Sequence, residues 1–434
     1  MALIEDELNI IYLKNLLDMK LTLPPYQRPY KWSVKSTNTL FIDTYEAFKD
    51  NINEYRLGSI ILHKEGTEKY NIVDGQQRLT TLSILLYCLG EENHSLLKEK
   101  YSKMSNNAII TNYGILYKRV NELASDEKHK YKEYLLNQCT TVKIVTDKEN
   151  EAFQFFDSQN SRGKELAPHD LLKSYHLREM TSEDENQKIK VINRWENLKQ
   201  DDLNDLFKNY LYPLTQWYKG KDGLGYSSSE IYAFKGIKGG YIYNYAIYHK
   251  ASNLYVEQFN SNGSNELLAS NFLNQFQLTQ PLIAGKRFFY YTLHYEYLLE
   301  TIKNKIEAFY KYDLIPSKRS GDIYIRQLYE CTLLFFADRF GIENVTESVM
   351  DQLYSWSYSL RLTMFAVYPQ TINKYAKGQH DRVNYGTDIF TTISEITGPE
   401  ELKLLVLKIP DVVSGNKKKY KEIYKKLCNL NGWR

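Results

Sequence analysis

The clearest apolar stripe in the chain runs through Leu79, Leu82, Leu85, Leu86 and Leu89, which is helical spacing. The chain enters it from a β-branched pair, Ile72 and Val73, through Asp74 and Gly75. A further extended run at 57–63 is joined to 69–73 by a Lys-Glu-Gly-Thr-Glu turn and reads as a hairpin. A short helix is expected at 5–18, a helical excursion from 79 to about 138, and a strand at Val142–Val145. Phe153 and Phe156 have helical spacing, Gly163 is placed to stop that helix, and Pro168 can open the next one, to about 178. Polar residues 181–188 read as a linker. Periodic aromatic-rich stretches follow at 191–212, 290–311, 322–340, 346–366 and 399–408, with Gly/Ser-rich loops at 219–229, 236–240 and 260–265. The pattern predicts an α+β protein: a small α/β module at 1–180, then a mainly α-helical module at 189–434.

The stripe places Gln76, Gln77 and Arg78 at the mouth of a helix. Unpaired backbone N–H groups and the positive dipole end gather there, which suits a phosphate or another anion. Arg78 adds a planar donor fork. An ordinary strand-to-helix turn with a surface arginine would leave the same pattern. Upstream, Leu23-Pro24-Pro25-Tyr26-Gln27-Arg28-Pro29-Tyr30-Lys31-Trp32 is stiffened by three prolines and predicts an extended strap. Rings beside a guanidinium suit a nucleobase or phosphate, and a core strap whose rings merely pack is the other reading. A polar hinge follows at Asp157, Asn160, Arg162 and Lys164, with Asp170 and Lys173 on the next turn.

Together these blocks resemble the GmrSD/SspE-type restriction and anti-phage defence family, with its ParB-like N-terminal domain. The resemblance rests on Pro24 to Tyr30, on Gly58-Ser59-Ile60-Ile61-Leu62, and on Ile72 to Leu82. Asn160 to Gly163 with Asp170 to Lys173 extends it, and Gln280 to Phe289 is a weaker match. It implies a ParB-like N-terminal module, helical excursion included, that binds and hydrolyses a nucleoside triphosphate with Mg2+. Asp74, Gln76, Gln77 and Arg78 are the implied catalytic positions, Asp74 also holding the metal. Tyr26, Gln27, Arg28, Gly75, Asn160, Arg162 and Lys173 are the implied nucleotide-binding positions. Arg28 and Arg78 would clamp phosphates, and Gln76 or Gln77 would orient the attacking water. The expected role is a nucleotide-hydrolysing component of modification-dependent restriction, gating DNA engagement or a separate nuclease subunit. A non-hydrolysing sensor of modified phage DNA is the alternative, with Tyr26 and Tyr30 carrying recognition; a nuclease with an unrecognised site is the third.

Fused family enzymes continue into a His-Asn-His nuclease domain, and that motif is not legible here. The eight histidines include no closely spaced pair with a downstream partner. His169 and His176, seven apart on a predicted helix, are too far apart to share a metal and read as surface residues. There is no Gly-x4-Gly-Lys-Ser/Thr phosphate loop and no His-Glu-x-x-His. The four cysteines, 88, 139, 331 and 428, are scattered, which fits a reducing cytoplasm rather than a disulfide framework or zinc site. No apolar run approaches a bilayer span, and self-association is left open.

Composition leans towards nucleic acid without settling it. Net charge is only +3, so any DNA contact must come from local patches. The 38 tyrosines often flank Lys or Arg, as in Lys286-Arg287-Phe288-Phe289-Tyr290-Tyr291; aromatic core packing with snorkelling cations gives the same pattern. In the tail, Lys417, Lys418 and Lys419 precede a stripe of Tyr420, Ile423, Tyr424 and Leu427. Those lysines are the expected DNA contacts with Tyr30, against the plainer reading of a solvated amphipathic helix.

Overall fold

The computed structural model describes residues 8–24, 27, 29–66, 68–101, 103–148, 151–152, 167–180, 185–238, 240, 243–262, 276–407 and 418–433. The chain divides into two compact units, Met1–Leu166 with Met180–Glu196, and Ala167–Glu179 with Asn197–Arg434.

The first unit is built on a five-stranded mixed sheet. In chain order its elements are β1 (Leu8–Tyr12), α1 (Leu13–Leu17), β2 (Lys20–Thr22), α2 (Val34–Lys49), β3 (Tyr55–Glu65), β4 (Lys69–Asp74), α3 (Gln76–Cys88), α4 (Lys103–Asn121), α5 (Ser125–Asn137) and β5 (Cys139–Thr146). The strand order is β1-β5-β3-β4-β2. β3 and β4 form the expected antiparallel hairpin, β5 runs parallel to β3, and β2 runs parallel to β4. Alternation along β3 splits its side chains between two faces. Ile60 and Leu62 join the main core with Leu79, Leu82, Leu85 and Tyr131. Ile61 turns to the opposite face with Val73 and Ile144. On α2, Ser33 caps the helix by accepting from the Ser36 N–H at 3.3 Å, and Thr37, Phe41, Thr44 and Ala47 bury one stripe.

One expected element is corrected in this unit. Residues 5–18 do not form a single helix: Leu8–Tyr12 is an edge strand, antiparallel to β5, and only Leu13–Leu17 is helical. The partner strand lies some 130 residues downstream, beyond the reach of any local pattern.

The second unit is helical, as expected. Its longest helices are Lys286–Phe309, Ser320–Phe340, Asn244–Asn262 and Glu347–Thr363. The aromatic clusters pack inward: Phe288, Phe289, Tyr291, Tyr295, Tyr329, Tyr354 and Tyr358 are all buried. Tyr354 stacks on Tyr358 with ring centroids 4.4 Å apart. The expected linker at 181–188 is helical from Glu185 onward, in Glu185–Glu196. No helix among the described residues is long and apolar enough to cross a membrane.

Candidate functional site

The Asp74–Arg78 turn lies where β4 passes directly into α3. Gly75 caps the helix in the left-handed region, with φ 92° and ψ 1°. Only glycine fits, because a Cβ there would sit 2.2 Å from Ile60 Cδ1. With no side chain at the cap, the first turn of α3 keeps its backbone donors for something other than Gly75. The first intrahelical bond runs from the Leu79 N–H to the Gly75 carbonyl at 2.9 Å.

Arg78 is half-buried on that turn. Its Nη1 donates to the Ser59 carbonyl at 3.1 Å. The guanidinium lies against Gly58, where a Cβ would meet Nη1 at 3.0 Å. Gly58 has φ +101° and falls where the β3–β5 register shifts between Arg56 and Ser59. Thr141 Oγ1 donates to its carbonyl at 2.7 Å. A bulge in β3 thus makes a seat for the arginine. Burial lowers the Arg78 pKa and the nearby Asp74 charge works in the opposite direction, so the pair is electrostatically coupled. Gly58 was missed as a site residue, although a lone glycine inside a strand pattern signals a bulge or a close approach.

The two amides differ sharply. Gln77 is fully engaged: its Oε1 accepts from the Lys31 N–H at 2.9 Å, and its Nε2 donates to the Pro29 carbonyl at 3.1 Å. Gln76 is equally buried, yet its Oε1 has no hydrogen-bond partner among the described residues. Of the two residues expected to orient water, Gln76 therefore keeps a free acceptor and Gln77 fastens the strap to the helix.

The strap is held at Gln27, Tyr30 and Lys31. Gln27 Nε2 donates to the Ile72 and Val73 carbonyls at 2.8 and 2.6 Å, just past the last residue of β4 paired with β2. Tyr30 is fully enclosed. Its N–H donates to Ser105 Oγ at 2.9 Å, and its hydroxyl pairs with Thr81 Oγ1 at 2.8 Å and accepts from Asn112 Nδ2 at 2.9 Å. The DNA contact expected of Tyr30 is corrected on this geometry, since no ring face reaches solvent. Lys31 Nζ pairs with Glu196 at 3.3 Å.

Other expected positions fall elsewhere. Tyr26, Arg28, Asp157, Asn160, Arg162, Lys164 and Lys417 lie outside the described residues. Lys173 is buried on Pro168–Arg178, a helix of the second unit. Lys418 and Lys419 are exposed before the helix Lys421–Asn431, whose Ile423 and Leu427 are buried as the stripe predicted. No group of three metal-ligating side chains occurs among the described residues.

His169 and His176 are buried, not surface residues. His169 Nε2 pairs with Gln200 Oε1 at 2.8 Å. His176 accepts from the Gly285 N–H on Nδ1 at 3.1 Å and donates from Nε2 to the Phe234 carbonyl at 3.0 Å. Its ring stacks on Phe288, centroids 3.9 Å apart. Complete desolvation pulls its pKa down to about 3, so it is a neutral pin of the helical core.

Sequence comparison agrees with this architecture. Residues 13–177 match the GmrSD restriction endonuclease N-terminal domain, the family the first unit resembles. Residues 187–422 match a family of unknown function, DUF7834, and the chain belongs to that family. No curated protein matches it.

Proposed function

We propose that this chain is the nucleotide-binding and NTP-hydrolysing component of a modification-dependent restriction system, gating DNA engagement or a separate nuclease subunit. The observation that carries the reading is the seating of Arg78 on Gly58, one helical turn from a helix mouth capped by Gly75. A preorganised guanidinium beside a dipole end is what a transferring phosphoryl group requires. Arg78 and the α3 backbone donors would bind the triphosphate oxygens, and Gln76 Oε1 would orient the attacking water by accepting a hydrogen bond from it. Asp74 is an oxygen ligand of the kind Mg2+ takes. A single protein carboxylate suits that ion, which keeps waters and substrate phosphates as its remaining ligands. When bound, the ion would neutralise charge on the phosphates. Gln27 and Gln77 fix the strap beside the site, and Lys418 with Lys419 would track a DNA backbone.

The test is phosphate release from each of the four ribonucleoside triphosphates with Mg2+, with and without modified DNA, in wild type, Arg78→Ala and Gln76→Ala. Turnover should fall by about a hundredfold or more in Arg78→Ala, with near-UV circular dichroism unchanged. Turnover that survives in Arg78→Ala sinks the catalytic reading. Absence of turnover in wild type, with DNA binding that depends on Arg78, makes the pocket a sensor of modified DNA.

A further inference from the structure

The helical unit contains a cavity of about 410 Å³, within the range of small-molecule sites. One wall is Leu206–Leu211, a π-helical stretch between the α-helical stretches Gln200–Asp205 and Tyr212–Trp217. Its cause is Pro213, which has no N–H to offer the carbonyl four or five residues back. The Asn209 carbonyl instead accepts from the Cys331 thiol at 3.5 Å. Wide turns of this kind are rare and concentrate at functional sites; here Lys208 and Asn209, on the widened turn, both line the cavity.

The opposite side is held rigidly. Asn373 Oδ1 accepts from Trp217 Nε1 and from the Gly223 N–H, each at 2.9 Å, which fixes the indole in place. Gly223 packs so closely that a Cβ would lie 2.6 Å from Trp217 Nε1. Asp222, beside Gly223, is engaged by Asn373 and Lys377, and no carboxylate among the described residues lines the cavity.

The lining joins aliphatic residues, Pro213, Leu224, Leu328, Pro369 and Ile372, to aromatic, amide and cationic groups. Tyr226 is 8% exposed, and its hydroxyl has no partner among the described residues. A buried hydroxyl left unmatched is destabilising, so its retention needs an explanation. Gln327 and Gln370 offer donor–acceptor amide edges, and Lys208 is exposed at the rim. Stacking rings, amide edges and a rim cation are the set that reads a base and its phosphate.

We propose that this cavity binds a nucleobase carrying a phosphate, with the base against Trp217 and Tyr226 and the phosphate at Lys208. The site is separate from the Asp74–Arg78 turn and does not depend on it. Two sources share this chemistry, a free mononucleotide and a base turned out of a DNA strand.

Isothermal titration of the full-length chain with each ribo- and deoxynucleoside monophosphate, and with single-stranded tetranucleotides, tests the proposal. The variants are Lys208→Gln, Tyr226→Phe and Arg78→Ala. Binding should weaken about tenfold in Lys208→Gln and weaken in Tyr226→Phe, and the same losses should appear when each is combined with Arg78→Ala, which removes the phosphate clamp of the other site. Monophosphate binding identifies a free nucleotide as the source; tetranucleotide binding alone, with the same variant pattern, identifies a base within a strand. Wild type that binds no probe, or binding that Arg78→Ala abolishes while Lys208→Gln leaves it intact, overturns the site.

Discussion

Tyr30 in the first unit and Tyr226 in the second are both enclosed, yet they are used in opposite ways. The Tyr30 hydroxyl has two partners, Thr81 and Asn112, and the Tyr226 hydroxyl has none among the described residues. The same contrast recurs between adjacent side chains at the mouth of α3, where Gln77 is satisfied at both ends and Gln76 Oε1 is not. Burial alone therefore does not separate a structural polar group from one held for a ligand. The count of partners separates these two pairs, although core hydroxyls such as those of Tyr134 and Tyr358 are also unmatched among the described residues.

The largest effect expected is at Gly75. Gly75→Ala meets Ile60 Cδ1 and forces a left-handed alanine, and should lower the stability of the first unit by about 3–5 kcal/mol in chemical denaturation. Ile60→Val in the same background should restore the packing part and leave the backbone strain. Full stability in Gly75→Ala alone would mean that the turn is plastic and the site unbuilt.

Next comes His176. Its folded pKa of about 3 lies below the ordinary 6.5, so below about pH 6.5 the unfolded chain takes up a proton that the fold refuses. The stability it contributes is fully present above that pH and declines as pH falls. The loss should be about 2 kcal/mol between pH 7 and pH 5. His176→Gln should be less stable at pH 7 and should lose this part of the acid slope, read by denaturation at a series of pH values. Buried Asp338, raised to about 7 by desolvation, works with the opposite sign: its contribution declines as pH rises from about 4 to about 7. The His176→Gln difference isolates the histidine from it.

The smallest effect sharpens the opening contrast. Tyr30→Phe should lower stability by about 1–2 kcal/mol, since it strands Thr81 and Asn112. Tyr226→Phe should be neutral or slightly stabilising on the same scale. Equal losses at both positions would remove the distinction.

Much of the first unit was legible. The β3–β4 hairpin and α3 follow from local alternation and 3.6-residue spacing, and Gly75 from the Asp-Gly turn. β1 was not, because Leu8–Tyr12 becomes a strand only by pairing with β5. At the site, Arg78 was evident as a donor but its seat was not, since the bulge at Gly58 depends on how β3 registers with β5. Tyr30 and the two histidines were misjudged for one reason. Their polar atoms suggest solvent or ligand, and only the three-dimensional partners, Thr81, Asn112, Gln200, Phe234 and Gly285, reveal them as core. In the second unit Tyr291, Tyr295, Tyr329, Tyr354 and Tyr358 pack as core aromatics, whereas Tyr245, Tyr248, Tyr297 and Tyr312 are exposed, so the two readings their sequence allowed divide between positions. The widened turn had a single trace, Pro213, which does not by itself distinguish a kink from a π stretch.

That turn also acts as a phase shifter. A π stretch holds one more residue than the α-helix it interrupts, and each residue advances an α-helix by about 100° and 1.5 Å. Deleting one residue from 206–211 would return the segment to ordinary pitch and rotate Trp217 out of alignment with Asn373. The helix would gain regularity, and the indole would swing away from the chamber it now faces.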